Sequence, residues 1–367
     1  MSLYNREVKA WDVIIVGGGI IGLSLSIALR KRGATVLIVE RGEPGREASH
    51  AAAGMLADSP LETPAILQPL ATASARMYPE FVHELQDESG VDMDLRDQGT
   101  IFILASERVY EWPELGRLFP LPATLAELEP ALAKSPAGVK WPAIYLNERS
   151  VDPRALTSAA LKAARHRGVD ISSGSAVAAV LMPNGSATGV STNKTTYFAP
   201  TVVNCAGAWA GQLPPHRFPT RPVKGQMLSL VGASRDLVRH VIRAPEVYLV
   251  PRSDGRILAG ATVEEAGYDK RTDVDTIQRM HKAAIDLVPA LTGARMLESW
   301  AGLRPGSPDN LPILGATQTP GYFIATGHFR DGILLAPITA HVMAQVITGA
   351  TPEHDISPFS PARFDKH

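Results

Sequence analysis

Residues Asp12 to Glu40 read DVIIVGGGIIGLSLSIALRKRGATVLIVE, a strand, a helix and a second strand in succession. Asp12 to Val16 is a short β-branched run ending at glycine, the pattern of a strand buried on both faces of a parallel sheet. Ile21, Leu25, Ala28 and Leu29 recur at helical spacing, and Gly33, after Arg30, Lys31 and Arg32, is a C-terminal stop. Thr35 to Val39 is a second buried strand, closed by Glu40. The stretch therefore predicts a βαβ unit with Gly17-x-Gly19-x-x-Gly22 at its first turn, and hence a Rossmann-like α/β domain.

Each position in that turn has a physical task. Gly17 permits the tight turn, Gly19 lets the backbone approach a pyrophosphate, and Gly22 lets helix and strand pack closely. The pyrophosphate would sit on the unpaired N–H groups at the helix N-terminus, favoured by the helix dipole. Glu40 lies 18 residues after Gly22, close to the ~20 expected of an acid that accepts from a ribose hydroxyl. The unit predicts a dinucleotide without distinguishing NAD from FAD.

The uncharged run from Val13 to Leu29 superficially resembles a signal anchor. It is shorter than the ~20 residues that span a bilayer and is broken by four glycines. The chain of 367 residues is 45% hydrophobic, enough for a sizeable core and two domains. Its 36 basic and 37 acidic residues leave a net charge of −1, which argues against a polyanionic partner such as nucleic acid or an anionic membrane. The N-terminus, Met1 to Ala10, carries Arg6, Glu7 and Lys9 and has no apolar core; the expectation is a cytoplasmic protein without membrane insertion. One cysteine, Cys205, allows no internal disulfide and reads as a small core residue. The ten histidines show no metal-ligand spacing, so no metal is expected. Glycine (31) and proline (29) are abundant, implying many turns rather than long uninterrupted helices.

Further along, Asp152-Pro153 supplies an N-cap and an N1 proline for a helix running to Gly168. Val177–Leu181 and Val190–Thr192 read as strands around a Pro183-Asn184-Gly185 turn, and Thr201–Asn204 as a buried strand. The small-residue turn Cys205-Ala206-Gly207-Ala208 allows either close approach of a ligand or tight packing. From about residue 220 to 263 the texture turns to period-2 segments, Pro222–Leu230, Glu246–Pro251 and Arg256–Thr262, an antiparallel sheet in a different domain. Thr272–Leu287 is an amphipathic helix with Ile277, Met280, Ala284 and Leu287 on one face. Tyr322–Ala325 is a strand leading into a helix expected from about Ile333 to Thr348.

Five segments together resemble the FAD-dependent D-amino-acid oxidase superfamily, and within it the glycine oxidases of the thiamine-biosynthesis type. They are Gly17 to Gly22, Ala51-Ala-Ala-Gly-Met-Leu56, Pro222-Val-Lys-Gly225, Trp300-Ala-Gly-Leu-Arg-Pro-Gly306 and Gly327-His-Phe-Arg-Asp-Gly-Ile-Leu-Leu-Ala-Pro337. The resemblance implies an FAD-binding domain built from residues 1–85, 150–220 and 300–367, interleaved with an antiparallel-sheet substrate domain of residues 86–149 and 221–299. It implies non-covalent FAD held by Gly17, Gly19, Ile20, Ile21, Gly22, Glu40 and Arg41. Ser49, Ala52, Ala53, Gly54 and Met55 belong to the same set, as do Val177, Ala206 and Gly207. The last contributions come from Arg304, Arg330, Asp331, Gly332, Ile333 and Leu334, with the helix after Gly332 aimed at the flavin pyrimidine edge.

By the same resemblance, Arg304 pairs with a substrate carboxylate, the Tyr248 hydroxyl reaches that carboxylate, and the Arg330 backbone carbonyl accepts from the substrate amine. A fork-shaped guanidinium suits that pairing where a lysine point charge does not. The residues also admit plainer readings: an Arg304–Asp309 ion pair, Tyr248 as an ordinary strand aromatic, and His328 as a packed turn residue. His50 stands one residue away from the position at which some relatives bond FAD covalently, and Val263 stands where a methionine can occur. The implied chemistry is oxidative deamination of glycine or another small amine or D-amino acid, with O₂ as acceptor and a homo-oligomer as one possible assembly. The alternatives are a dehydrogenase feeding a quinone or carrier, a flavoprotein without turnover, and an NAD enzyme.

Overall fold

The computed structural model describes residues 10–104, 114–135 and 142–365; the N-terminal stretch 1–9 lies outside the described residues. The opening unit forms as expected: β1 (Val13–Val16), α1 (Ile20–Lys31) and β2 (Val36–Glu40), with β1 and β2 parallel and Val13 opposite Val36. The uncharged run divides at the glycine turn into strand and helix. Arg30 and Lys31 lie in the last turn of α1, where they favour the negative end of its dipole, and Gly33 stops it at φ +87°.

β1 and β2 sit inside a six-stranded sheet in the order Ile313–Ala316, Tyr322–Thr326, Thr201–Asn204, β1, β2, Asp170–Ser173. The first pair is antiparallel and the rest are parallel. One face is covered by α1, by α2 (Gln68–Ser89), by α3 (Pro153–His166) and, further on, by the helix Ala336–Ile347, all joined in one apolar core. In α3 the Asp152 carboxylate accepts from the N–H of Arg154 and Ala155, the expected cap. α2 is a correction to the expectation of short helices. It runs for 22 residues with Pro79 inside, carried by a buried stripe of Leu70, Ala71, Ser74, Tyr78, Val82 and Leu85. Tertiary burial of that stripe outweighs the interior proline.

The second sheet has seven strands, in the order Arg295–Gly306, Arg221–Val231, Arg256–Gly260, Tyr248–Pro251, Val241–Arg243, Thr100–Ile103, Ala143–Leu146. It is antiparallel as expected except at one pair, Val241–Arg243 beside Thr100–Ile103, which runs parallel. Residues 100–103 arrive by a long connection, so no hairpin constrains their direction. α4 (Val274–Leu287) buries Ile277, Met280, Ala284 and Leu287 against this sheet, and Asp273 caps it through the Thr276 N–H. The two sheets meet where Gly302 touches the short helix Ala48–Ala51; a Cβ on Gly302 would lie 2.3 Å from the Ala51 Cβ.

The last helix, α5 (Ala336–Ile347), begins three residues later than expected. Pro337 has no N–H to offer the carbonyl four residues back and its ring crowds it, which disfavours a helix through Ile333; residues 332–335 form a turn instead. The Ile333 carbonyl accepts from the Ala336 N–H at 3.2 Å and from the Tyr78 hydroxyl at 2.5 Å, and the Leu334 carbonyl accepts from Ser74 Oγ at 2.6 Å. A turn, rather than the helix end itself, therefore faces the space beyond Gly332.

Candidate active site

A single cavity of about 430 Å³ runs from the glycine turn to the junction of the two sheets. At its first end Gly17 has φ +109°, and a Cβ there would lie 2.4 Å from the Cys205 carbonyl oxygen. A Cβ on Gly22 would fall 2.1 Å from the Gly17 oxygen, so the turn and the helix start pack without room for a methyl group. Gly19 caps α1 without a side chain and no acid lies in the first turn, leaving a positive helix end toward the cavity. Ser49 Oγ accepts from the Ile20 N–H at 3.0 Å.

Glu40 reaches the cavity with its carboxylate already ordered, accepting from the Gly18 N–H (2.8 Å) and the Gly42 N–H (2.9 Å). Arg41 lies over the Trp209 ring, 3.5 Å from its centroid, and donates to Glu47 at 2.8 Å. Ile20, Ile21, Ser49, Val177, Ala206 and Gly207 line the same end. Ala52, Ala53, Gly54 and Met55 form a wall further along, with Gly54 at φ +78° and no space for a side chain. Gly332 and Ile333 also line the cavity; Asp331, Leu334 and Gly22 stand behind its surface. Burial pushes the Asp331 carboxyl up to about 6. Cys205 is buried, and burial pushes its thiol up, which suits packing rather than nucleophilic chemistry.

At the far end the long strands place Arg304. Val223 pairs with Arg304 and Gly225 with Gly302, and the guanidinium folds back across Gly225. A Cβ on Gly225 would meet its atoms at 2.3–2.6 Å. Arg304 Nη1 donates to the Thr262 carbonyl at 3.0 Å, and no described carboxylate forms an ion pair with it. Asp309, the suggested partner, is held by Arg363 at 2.8 Å. Burial lowers the affinity of Arg304 for its proton, opposed by the adjacent Tyr248. Tyr248 packs beside Met227, and burial raises its hydroxyl. The Phe329 N–H donates to the Pro305 carbonyl at 2.9 Å, which ties the turn carrying Arg330 to the strand carrying Arg304.

Gly225, Met227 and Trp209 escaped the sequence reading as site residues. Gly225 stood in a quoted motif, but its task depends on a side chain 79 positions away. Replacing Gly225 by alanine is expected to displace the guanidinium and raise KM about tenfold, some 1.4 kcal/mol, with FAD content unchanged; steady-state kinetics checks this.

His328 lines the cavity yet is buried, its Nε2 paired with Thr339 Oγ1 at 3.1 Å, and burial pushes its imidazole down to about 3. Its folded pKa lies below the ~6.5 of an unfolded histidine, so its stabilising contribution is present above that pH and is lost as pH falls toward 3. His328→Asn is expected to flatten the decline of Tm between about pH 6.5 and pH 4, measured by thermal melts.

These features define a class: a dinucleotide-dependent enzyme whose cofactor cradle opens onto an arginine-lined pocket. Comparison with known proteins makes the class specific. Residues 12–346 match the family of FAD dependent oxidoreductases (DAO). The glycine oxidase of Geobacillus kaustophilus is 33% identical, covering 96% of this chain and 97% of its own. A crystal structure of glycine oxidase from that organism superposes with a TM-score of 0.89 at 31% identity, covering 97% of this chain and 100% of that one. The hydrogen cyanide synthase subunit HcnC of Pseudomonas aeruginosa is 31% identical over 97% of both chains. The bifunctional protein ThiO/ThiG of Trichormus variabilis is 35% identical over 97% of this chain, which spans about half (55%) of that protein's length. The chain belongs to the DAO family of FAD dependent oxidoreductases. Among the described residues, no helix is long and apolar enough to cross a membrane.

Proposed function

We propose that the protein oxidatively deaminates glycine or a similarly small amine or D-amino acid, releasing a 2-oxo acid, ammonia and hydrogen peroxide. The observation that carries this is Arg304: a guanidinium held by neutral carbonyls inside the cavity, unpaired with any described carboxylate, beside the Tyr248 hydroxyl. We take the cofactor-binding residues to be those named from the resemblance, and the two-part division into residues 1–85, 150–220 and 300–367 against 86–149 and 221–299 to be the working one. A cytoplasmic location goes with this reading.

When bound, FAD takes up the hydride that leaves the substrate Cα and passes the electron pair on to O₂. The chain's own residues orient the substrate. Arg304 forks around the carboxylate, and the Tyr248 hydroxyl donates to the same group. The Arg330 carbonyl accepts from the amine, which reacts in its neutral form, whose lone pair is free to form the imine. Fixing both ends of so small a molecule aims its Cα–H, and orientation of this kind supplies much of the rate without a general base. Val263 is 64% exposed at the cavity mouth, so that wall is open.

His50 is absent from the cavity lining, which supports non-covalent FAD. Acid precipitation is expected to leave the pellet colourless and the flavin in the supernatant; a yellow pellet contradicts it. A second reading rests on the full-length likeness to HcnC, a relative not named as an oxidase: electrons pass to a quinone or carrier. A substrate panel of glycine, sarcosine, D-alanine and D-proline, with peroxide measured per substrate consumed, tests both. One peroxide per turnover supports the oxidase; turnover with an added carrier and no peroxide supports the dehydrogenase.

A further inference from the structure

Arg252 is among the largest fully buried side chains of the protein, 1% exposed, and it lies outside the cavity. It stands at the end of the strand Tyr248–Pro251, where its N–H donates to the Arg256 carbonyl at 2.8 Å. Its guanidinium crosses from the second sheet into the first body and donates through Nη2 to the Ala53 carbonyl. Among the described residues, its Nη1 is buried without a hydrogen-bond partner. Asp152 is the first of the acids that favour its charge, and Asp152 is itself shared with Arg256 at 3.0 Å. Burial brings the Arg252 pKa down to about 10, which still leaves the group charged at neutral pH.

What this cation grips matters. The Ala51 carbonyl accepts from Trp300 Nε1 at 3.1 Å and the Gly54 carbonyl accepts from the Val151 N–H at 2.9 Å, so the segment is pinned on both sides of Ala53. In a trans peptide the C=O and the following N–H point in opposite directions. With the Ala53 oxygen on Arg252, the Gly54 N–H points away from that guanidinium, and Gly54 itself lines the cavity. Ala53 also shares a packed cluster with Met227, and Met55 and Tyr248 pack against that cluster, so this peptide lies at the substrate end of the cavity. A buried positive charge on a peptide oxygen polarises that peptide, and in a low-dielectric surrounding the effect is transmitted to whatever its N–H faces.

We propose that Arg252 is a positioning residue that raises the electron affinity of the bound isoalloxazine from outside the cavity, by fixing and polarising the Ala53–Gly54 peptide. This rests on the reading that the reactive ring lies against residues Ala52 to Met55.

The test uses FAD-loaded enzyme carrying Arg252→Gln, Arg252→Lys or Asp152→Asn, with the flavin midpoint potential and the affinity for sulfite as readouts. Sulfite adds to the oxidised ring more readily as the ring becomes more electron-poor. Arg252→Gln is expected to weaken sulfite binding about tenfold and lower the potential by about 30 mV, the two-electron equivalent. Arg252→Lys, which keeps the charge, recovers most of the shift. Asp152→Asn retains a helix cap but removes the countercharge, so it moves both readouts the opposite way. A residue with only a packing role would give no such reversal. The inference is overturned if Arg252→Gln leaves potential and sulfite affinity at wild-type values, or if Asp152→Asn shifts them in the same direction as Arg252→Gln. Should Arg252→Gln fail to fold, Asp152→Asn decides by the sign of its shift: a raised potential and tighter sulfite binding support the inference, and unchanged or lowered values overturn it. An unchanged KM in Arg304→Ala would instead count against the site reading and leave these potentials to be judged separately.

Discussion

Arg304→Ala is expected to keep its FAD and lose its substrate. Removing one charge-assisted, forked pair costs about 2–5 kcal/mol, so substrate affinity falls about 30- to 4,000-fold. The effect is large because, among the described residues, the other arginines lining the cavity, Arg41 and Arg330, are carried by other segments and not by the strand that places Arg304. The guanidinium lies flat over Gly225, where no other side chain fits, and its nearest hydrogen-bond partners are the neutral carbonyls of Thr262 and Lys224. Its charge is therefore available to an incoming carboxylate. Arg304→Lys should fall between the two, since an ammonium offers the charge without the fork. Steady-state kinetics with flavin absorbance as a loading control measures this, and a wild-type Michaelis constant in the alanine variant would remove Arg304 from the site.

Gly17→Ala should act at the other end of the cavity and show the reverse pattern, losing the cofactor. An L-residue at φ +109° pays about 1–3 kcal/mol of strain. Its Cβ would also sit 2.4 Å from the Cys205 carbonyl oxygen, a backbone atom of the neighbouring strand that cannot rotate away. Either the glycine turn shifts off the pyrophosphate path or the two strands part. FAD affinity is expected to fall about 100-fold, roughly 2.8 kcal/mol, with a lower Tm for the apoprotein. Gly33→Ala is the control. It has φ +87° but nothing within 4 Å of its Cβ, so it carries the conformational cost alone and should bind FAD normally. Equal FAD affinity in the Gly17 and Gly33 variants would mean that the close approach of turn and strand is not what shapes the cradle.

The βαβ unit was legible because its signals are local. Strand, glycine turn, helix stop and second strand follow one another within 29 residues, each set by neighbours a few positions away. The cap at Asp152 and the apolar face of α4 were legible for the same reason. The helix α2 was not, because Pro79 and a mostly polar surface conceal a stripe that counts only once α3 and α5 pack against it. The start of α5 was misplaced because Pro337 disfavours a helix through Ile333, and the hydroxyls that bond the carbonyls of the turn, Ser74 and Tyr78, are more than 250 positions away. The mixed sheet direction at Thr100–Ile103 follows from a long connection whose path no local pattern encodes.

The site divides along the same line. Periodicity and turn chemistry in the amino-acid order were enough to specify a dinucleotide site, since its glycine turn, helix start and Glu40 all belong to a single supersecondary unit. Where the reacting carboxylate would be held is another matter. Arg304 reaches its place through the register of two strands, Gly225 opposite Gly302, and Arg252 reaches Ala53 across the join of two sheets. Those contacts link residues about 80 and 199 positions apart. Their existence depends on the accumulated twist, register and packing of everything between, which is a property of the folded chain and not of any window of its sequence.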